Sequence, residues 1–226
     1  MKRLLFSVLP VLMAGWASAQ TPPSAAEIAR YEGLHQAAHR GDVAEIGRLV
    51  SEGTDLNARD GSGRTAAHVA AFASHDAALR ALAEAGADMN ALENRFYDVV
   101  TIAAVADDPE LMSLAIELGN RADLITSVYD GTALIAAAHL GHAEVVRRLI
   151  AAGAPLDHVN NLGWTALMEA VVLGDGGPAH QACARALVAA GADVTIPDNA
   201  GVTPLEHAER RGYAEIATII RDGTGR

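Results

Sequence analysis

The residues of this chain that could do chemistry are nine histidines, one cysteine and two glycine-rich stretches. Histidine and carboxylate side chains hold a divalent metal when three or four of them converge at the right spacing. Asp175 and His180 share a loop and could hold a cation weakly, but no third or fourth ligand follows at a useful distance. Gly174-Asp175-Gly176-Gly177 has the composition of a phosphate loop, yet no strand-like run precedes it and no lysine follows. Gly61-Ser62-Gly63 needs no explanation beyond a turn. A nucleophile elbow, an H-E-x-x-H pair and a paired-carboxylate arrangement are all missing. The chemistry-bearing residues therefore point to no metal, no cofactor and no enzyme.

What organises these residues is a ladder of glycines. Gly53, Gly86, Gly119, Gly153 and Gly191 stand 33, 33, 34 and 38 residues apart, and each ends a stretch that reads as an apolar helix. A period near 33 marks a repeat solenoid, whose units cannot bury an apolar face alone and must stack. Within the period a phrase recurs. Thr132-Ala133-Leu134 through Ala138 leads by Gly141-His142 to Glu144-Val145-Val146 and Leu149-Ile150, then Gly153-Ala154. Thr203-Pro204-Leu205, Gly212-Tyr213, Ala87-Asp88-Met89-Asn90 and Ala192-Asp193-Val194 repeat parts of it.

This phrase resembles the ankyrin repeat, whose pattern is a turn, T-P-L-H-x-A-A, G-H, an apolar second helix and G-A-D-V-N. The resemblance covers about residues 24–221. It implies an all-α ankyrin-repeat solenoid of about six helix-turn-helix repeats joined by β-turn or hairpin loops, with origins near 32, 65, 98, 132, 165 and 203. The Thr caps the first helix, Pro204 is tolerated in a first turn, and the glycine after the second helix closes it in the left-handed conformation. His35 and His68 take the motif His position, where the family bonds the ring to Thr and backbone, and His142 belongs to the G-H turn. These three are read as structural. His39 and His139 occupy equivalent exposed positions three repeats apart, too far to share one ion.

Two places break the pattern. Gly174 to Gly191 is 17 residues where Gly141 to Gly153 is 12, so five extra residues within 175–180 lengthen the loop of the fifth repeat. The third repeat has Asp98 for Thr, Thr101 for His and Phe96 in a glycine slot. Asp98 can cap as Thr does, but a phenylalanine is strained at positive φ, so an altered turn is expected there. Cys183, at the position of Val145 one repeat earlier, is expected to be a buried, inert thiol.

The ends read as caps. Ser24-Ala25-Ala26-Glu27 matches a capping box, so residues 20–31 are taken as a linker and N-terminal capping helix; the repeat domain runs 32–221 and 222–226 is a frayed tail. Before them, Met1-Lys2-Arg3, the apolar run Leu4–Trp16 and Ala17-Ser18-Ala19 read as a signal peptide cleaved after Ala19. The run is too short for a membrane span. The protein is thus expected to be exported, to a bacterial periplasm first and to the medium second. Loss of residues 1–19 removes Lys2 and Arg3 and no acid, taking the net charge from −11 to −13 and leaving arginine as the only cationic residue besides histidine. So acidic a chain excludes nucleic acid and anionic membrane as partners and favours a basic protein.

In ankyrin proteins a partner usually meets the turn tips and the exposed side of the first helix. Carried onto this chain, that concave aromatic and arginine face comprises Arg64 and Phe72, then Arg95 and Tyr97, then Tyr129, His139 and Leu140, then Leu162, Trp164, Val172 and Leu173. The resemblance implies a monomeric, non-enzymatic protein–protein interaction module that binds and stabilises, inhibits or positions another exported protein, such as a periplasmic enzyme or a toxic effector. The alternative is a small-ligand or metal-binding protein using Tyr97 and Asp98 of the modified third repeat. One expectation is directly measurable: N-terminal sequencing of the exported protein should begin at Gln20, and a start within the repeats would refute the leader.

Overall fold

A computed structural model of the protein describes residues 22–224; the leader assigned to 1–19 lies outside the described residues. Thirteen α-helices and no strand occur among them. After a short α1 (Ala25–Ile28), inner and outer helices alternate. The inner ones are α2 (Gly33–Arg40), α4 (Ala66–Phe72), α6 (Val99–Ala106), α8 (Ala133–Leu140), α10 (Ala166–Val172) and α12 (Pro204–Arg211). The outer ones are α3 (Val43–Ser51), α5 (Asp76–Glu84), α7 (Pro109–Glu117), α9 (Ala143–Ala151), α11 (Pro178–Ala189) and α13 (Ala214–Gly223). Each inner helix packs on its own outer helix and on the next inner helix, which makes the solenoid.

The N-caps of the inner helices are Glu32, Thr65, Asp98, Thr132, Thr165 and Thr203. Thr132, Thr165 and Thr203 accept from the amides of Ile135, Met168 and Glu206, which satisfies one orphan donor per helix. One turn on, the pairs Ala37–Ala38, Ala70–Ala71, Ala103–Ala104 and Ala137–Ala138 are buried, and a side chain no larger than a methyl lets inner helices stack closely. Leu79 and Leu82, Met112, Val145, Val146 and Leu149, then Cys183 and Leu187, fill the space between inner and outer layers. Burial pushes the Cys183 thiol up to about 12, so it is an inert apolar filler.

Both ends are closed by sequence-local devices. Ser24 and Glu27 form the reciprocal capping box of α1. Glu27 also reaches Ser62 and Arg64 of the second repeat, so α1 covers the first core layer. At the other end α12, the last inner helix of the described residues, carries Glu209, Arg210 and Arg211 on its exposed side, the polar outer face of a capping repeat. α13 runs on to Gly223, two residues into the stretch expected to fray. The fifth-repeat insertion also differs from expectation. Pro178 starts α11, which has 12 residues where α3, α5, α7 and α9 have nine. Most of the extra length therefore extends the outer helix, because proline at a first helical position loses no needed donor.

Buried hydrogen bonds join the repeats near the inner N-caps. His35 Nε2 donates to Arg64 O, and His68 Nε2 to Tyr97 O, while His68 Nδ1 accepts from Thr65. Burial holds the His68 ring well below its usual range, at about 4, so it stays neutral and acts as a fixed connector. The third repeat substitutes another link. Asp98 Oδ1 accepts from Thr101 N at 2.8 Å and from Thr101 Oγ1 at 2.6 Å, and Thr101 Oγ1 pairs with Thr126 Oγ1 at 2.7 Å. Asp98 is wholly buried and its Oδ2 has no partner. Burial raises its pKa, so the folded chain holds the Asp98 proton more tightly than the unfolded chain does. That group therefore favours folding most at acid pH, and its contribution is lost as pH climbs above the ordinary aspartate value. Asp98→Thr, which restores the cap used by four other inner helices, should raise stability at pH 7 by about 1–3 kcal/mol, the cost of an unsatisfied buried polar group. Thermal melts should show the gain shrinking toward pH 4, and a gain independent of pH would refute a titrating Asp98.

Candidate partner-binding face

The loops that precede the inner helices present one side of the solenoid. In the second repeat Asp60 N donates to Arg64 O and Gly63 N to Asp60 O, each at 2.9 Å, with Gly63 at φ +79°. The third repeat makes the same two bonds, Glu93 N to Tyr97 O and Phe96 N to Glu93 O, again at 2.9 Å. The turn expected to be altered is thus retained, and Phe96 adopts the left-handed conformation at φ +67° with its ring in solvent, 52% exposed. A bulky residue held there costs about 1–2 kcal/mol relative to glycine, so the ring is kept against local preference.

The altered loop is that of the fourth repeat. Here Thr126 N, not Ser127 N, donates to Gly131 O, at 2.7 Å. The extra residue, visible in the 34-residue interval from Gly119 to Gly153, forms a bulge beside Ile125, and Ile125 and Val128 are both about half exposed. In the fifth repeat Val159 is 43% exposed. Successive loops of the third, fourth and fifth repeats therefore carry exposed apolar side chains: Phe96, then Ile125 and Val128, then Val159. Backbone and amide bonds fix neighbouring loops to one another, from Asn94 N to Ser62 O at 3.1 Å, Asn161 N to Tyr129 O at 3.0 Å and Asn199 Nδ2 to Leu162 O at 3.1 Å. These bonds hold the third loop to the second, the fourth to the fifth and the fifth to the sixth, and the Thr101–Thr126 hydroxyl pair joins the third repeat to the fourth.

Two residues expected on the face are inside the protein. Arg64 is 3% exposed because α1 lies over it; its Nε donates to Asp60 Oδ2 at 2.7 Å and its Nη2 to Glu27. Asp60 also accepts from the Tyr31 hydroxyl at 2.8 Å, so Tyr31 too is buried. Although burial alone would raise it, bonds from Arg64 and Tyr31 hold the Asp60 carboxyl below its usual range. Tyr97 is 5% exposed, since the residue after the left-handed position turns under the loop, and burial pushes its hydroxyl up to about 12. With Asp98 also enclosed and capping its own helix, the third repeat presents no open Tyr97–Asp98 site for a small ligand.

The remaining expected residues are reachable. Arg95 is exposed; Phe72, Tyr129, Leu162, Trp164, Val172 and Leu173 are half-buried; Leu140 is 37% exposed. His139 is half-buried rather than exposed, because its Nδ1 meets Glu169 Oε2 at 3.0 Å and Glu169 is wholly buried. Asn160 Nδ2 bonds the other Glu169 oxygen at 2.9 Å, so this acid links two repeats. A polar cleft of about 620 Å³ beside α1 is lined by groups already bonded within the chain: Tyr31 with Asp60, Ser62 with Glu27, His35 with Arg64 O. Asp175 bonds His180 at 2.9 Å, and among the described residues no three His, Cys, Asp or Glu groups converge as a metal site. No helix of the described residues is long and apolar enough to cross a membrane.

Comparison with known proteins agrees with this geometry. The family model described as "Ankyrin repeats (3 copies)" matches residues 16–93 and 100–198. The putative ankyrin repeat protein YahD of Escherichia coli (strain K12) is 34% identical over 185 residues, covering 81% of this chain and 92% of its own length. An ankyrin repeat domain from Acinetobacter baumannii AYE superposes with a TM-score of 0.78 at 43% identity, over 84% of this chain and 97% of that one. A chain in the complex of the predatory endopeptidase Bd0816 with the immunity protein Bd3460, from Bdellovibrio bacteriovorus, gives a TM-score of 0.69 at 24% identity, covering 85% and 98%, a likeness of fold alone. Ankyrin repeats are generally modules for binding other proteins, and this chain belongs to the ankyrin repeat family.

Proposed function

We propose that the chain is a non-enzymatic binding module of the periplasm that holds another exported protein against the loop edge and inner-helix ends of its second to fifth repeats. The observation that carries this reading is the row Phe96, Ile125, Val128 and Val159, apolar side chains left in solvent on successive rigid loops. Contiguous exposed apolar surface on a soluble protein marks a contact site, and aromatic and arginine residues beside it, here Arg95, Tyr129 and Trp164, are the usual anchors. The strained Phe96 supports the same reading, because glycine there would stabilise the fold and so only a role outside folding favours the ring.

The basic start, apolar run and Ala17-Ser18-Ala19 of the sequence support the periplasm as the compartment. The Bdellovibrio complex is a precedent for this fold within an assembly of an endopeptidase and an immunity protein. A toxic or degradative exported protein of basic charge is the partner that suits a face on a chain of net charge −13 after loss of the leader.

Phe96→Gly separates folding from binding. It should raise stability by about 1 kcal/mol, roughly 2–4 °C in melting temperature, by relieving the left-handed phenylalanine. Pull-down of the partner from periplasmic extract should nonetheless weaken at least tenfold, and Val128→Ser with Val159→Ser should do the same. Retention of the partner by all three changes would remove the loop row from the interface.

A further inference from the structure

At the end of the inner helices remote from the N-caps, one device closes the junctions between repeats. A ring at the start of an outer helix donates to a carbonyl at the end of the preceding inner helix. His75 Nε2 donates to His39 O at 3.0 Å, His142 Nδ1 to Ala104 O at 2.8 Å, His180 Nε2 to His139 O at 3.0 Å, and the Tyr213 hydroxyl to Gly174 O at 3.1 Å. Two of the rings lie over a glycine of the earlier repeat. A Cβ on Gly41 would stand 2.9 Å from the His75 ring, and one on Gly141 would stand 3.3 Å from His180.

The junction between the second and third repeats lacks this closure. The residue in the ring's place is Asp108, whose carboxylate turns to its own helix and accepts from Leu111 N at 2.8 Å. The residue in the glycine's place is Ser74, at φ +56°. The outer helices α5 and α7 that flank this junction are also the least closely packed of the neighbouring outer pairs. A cavity of about 260 Å³ opens here, walled by Phe72, Ile102, Val105 and Leu111. It is smaller than the usual small-molecule pocket and has room for one bulky side chain. One apolar side chain from outside the repeats already borders it, that of Pro22.

The one charged side chain that lines the cavity is an acid, Asp108, and Asp76 and Asp107, close to Ser74 and Asp108 in sequence, are exposed. No lysine or arginine lines it.

We propose that this open junction is a pocket for a single bulky apolar side chain of the protein partner, carried on a segment with a lysine or arginine next to it. The apolar side chain fills the space that a histidine ring closes elsewhere, and the adjacent cation meets the acidic rim. The proposal rests on the reading of the chain as a protein-binding module and adds to it the kind of segment bound.

The test is to pan a display library of random peptides on the mature chain, then measure the selected peptides against variants. Ser74→Gly with Asp108→His copies the Gly41–His75 pair onto the open junction. It should keep or raise the melting temperature while weakening peptide binding at least about tenfold. Ala106→Arg, at an exposed lining position, should leave folding intact and weaken binding comparably by placing a cation on the rim. Selected peptides should pair a bulky apolar residue with Lys or Arg, and their affinity should fall with rising salt. Peptides that lack a cation, or that bind both variants as well as the parent, overturn the pocket. If those peptides instead lose binding on Val128→Ser with Val159→Ser, the loop-edge reading survives without the pocket; if no peptide is selected, both readings fail. A dimer dissolved by Ala106→Arg would make the occupant a second copy, and peptide binding seen only after deletion of residues 20–23 would make it the chain's own N-terminal segment. Either result refutes a partner segment as the natural occupant.

Discussion

Everything in this molecule depends on the contact between one inner helix and the next. A helix pair of this size leaves an apolar face open, and only the neighbouring repeat covers it. The contact is made by the smallest side chains available, Ala37–Ala38 through Ala137–Ala138, with Ala170–Val171 continuing the pattern, all of them buried. In α12, the last inner helix of the described residues, the pair becomes Ala208 and Glu209, and Glu209 is exposed. Close backbone approach then leaves little room for long polar side chains at the junctions. Each polar group that does lie there must find a bond across the repeat boundary.

That constraint explains why histidines recur at the repeat boundaries. His68 is neutral and spans from Thr65 to Tyr97 O, while His75 and His180 pin the opposite end. Glu169 is a wholly buried acid that would be costly alone; His139 and Asn160 from neighbouring elements occupy both its oxygens. The exceptions are Asp98 Oδ2 and Asn120 Oδ1, both unbonded, and Asp98 sits at the junction joined by a hydroxyl pair, Thr101 and Thr126. The chain thus concentrates its local costs in the third repeat: an unpaired buried acid, a left-handed phenylalanine and a junction without its ring. Costs gathered in one place point to selection for something other than stability.

The glycine period and the capping residues were legible in the sequence because they act locally. A cap needs only its own helix, and a helix-closing glycine only its own φ. The burial of Cys183 was legible for the same reason, by register with Val145. What the period could not convey was which way a side chain turns at the loop, or what arrives from elsewhere in the chain. Tyr97 turns inward after Phe96, whereas Trp164 at the same register remains half-exposed. Arg64 disappears from the surface because α1, which belongs to no repeat, brings Glu27 onto it. The exposed Ile125 and Val128 follow from a single inserted residue, a signal present in the 34-residue interval whose effect on the loop appears only when the bonded partner of Gly131 is seen to be Thr126. Phe96 shows the opposite case: the sequence marks the strained residue, but not that the turn would hold and the side chain bear the cost.

The two ends of an inner helix therefore serve different purposes. At the N-cap end, loops are tied to loops, so apolar tips can be displayed without the edge losing its shape. At the other end, rings from the next repeat close each junction except that between the second and third. In a solenoid, stability is a sum over units and nearest-neighbour interfaces, so weakening one interface has a local effect. A closed globular core would transmit the loss of a packing ring to every element around it. Here the open junction at Asp108 leaves the other junctions, from His75 to Tyr213, fully made. An architecture with separable interfaces can thus leave one of them unfilled, and that freedom places an apolar edge at one end of the inner helices and an open pocket at the other.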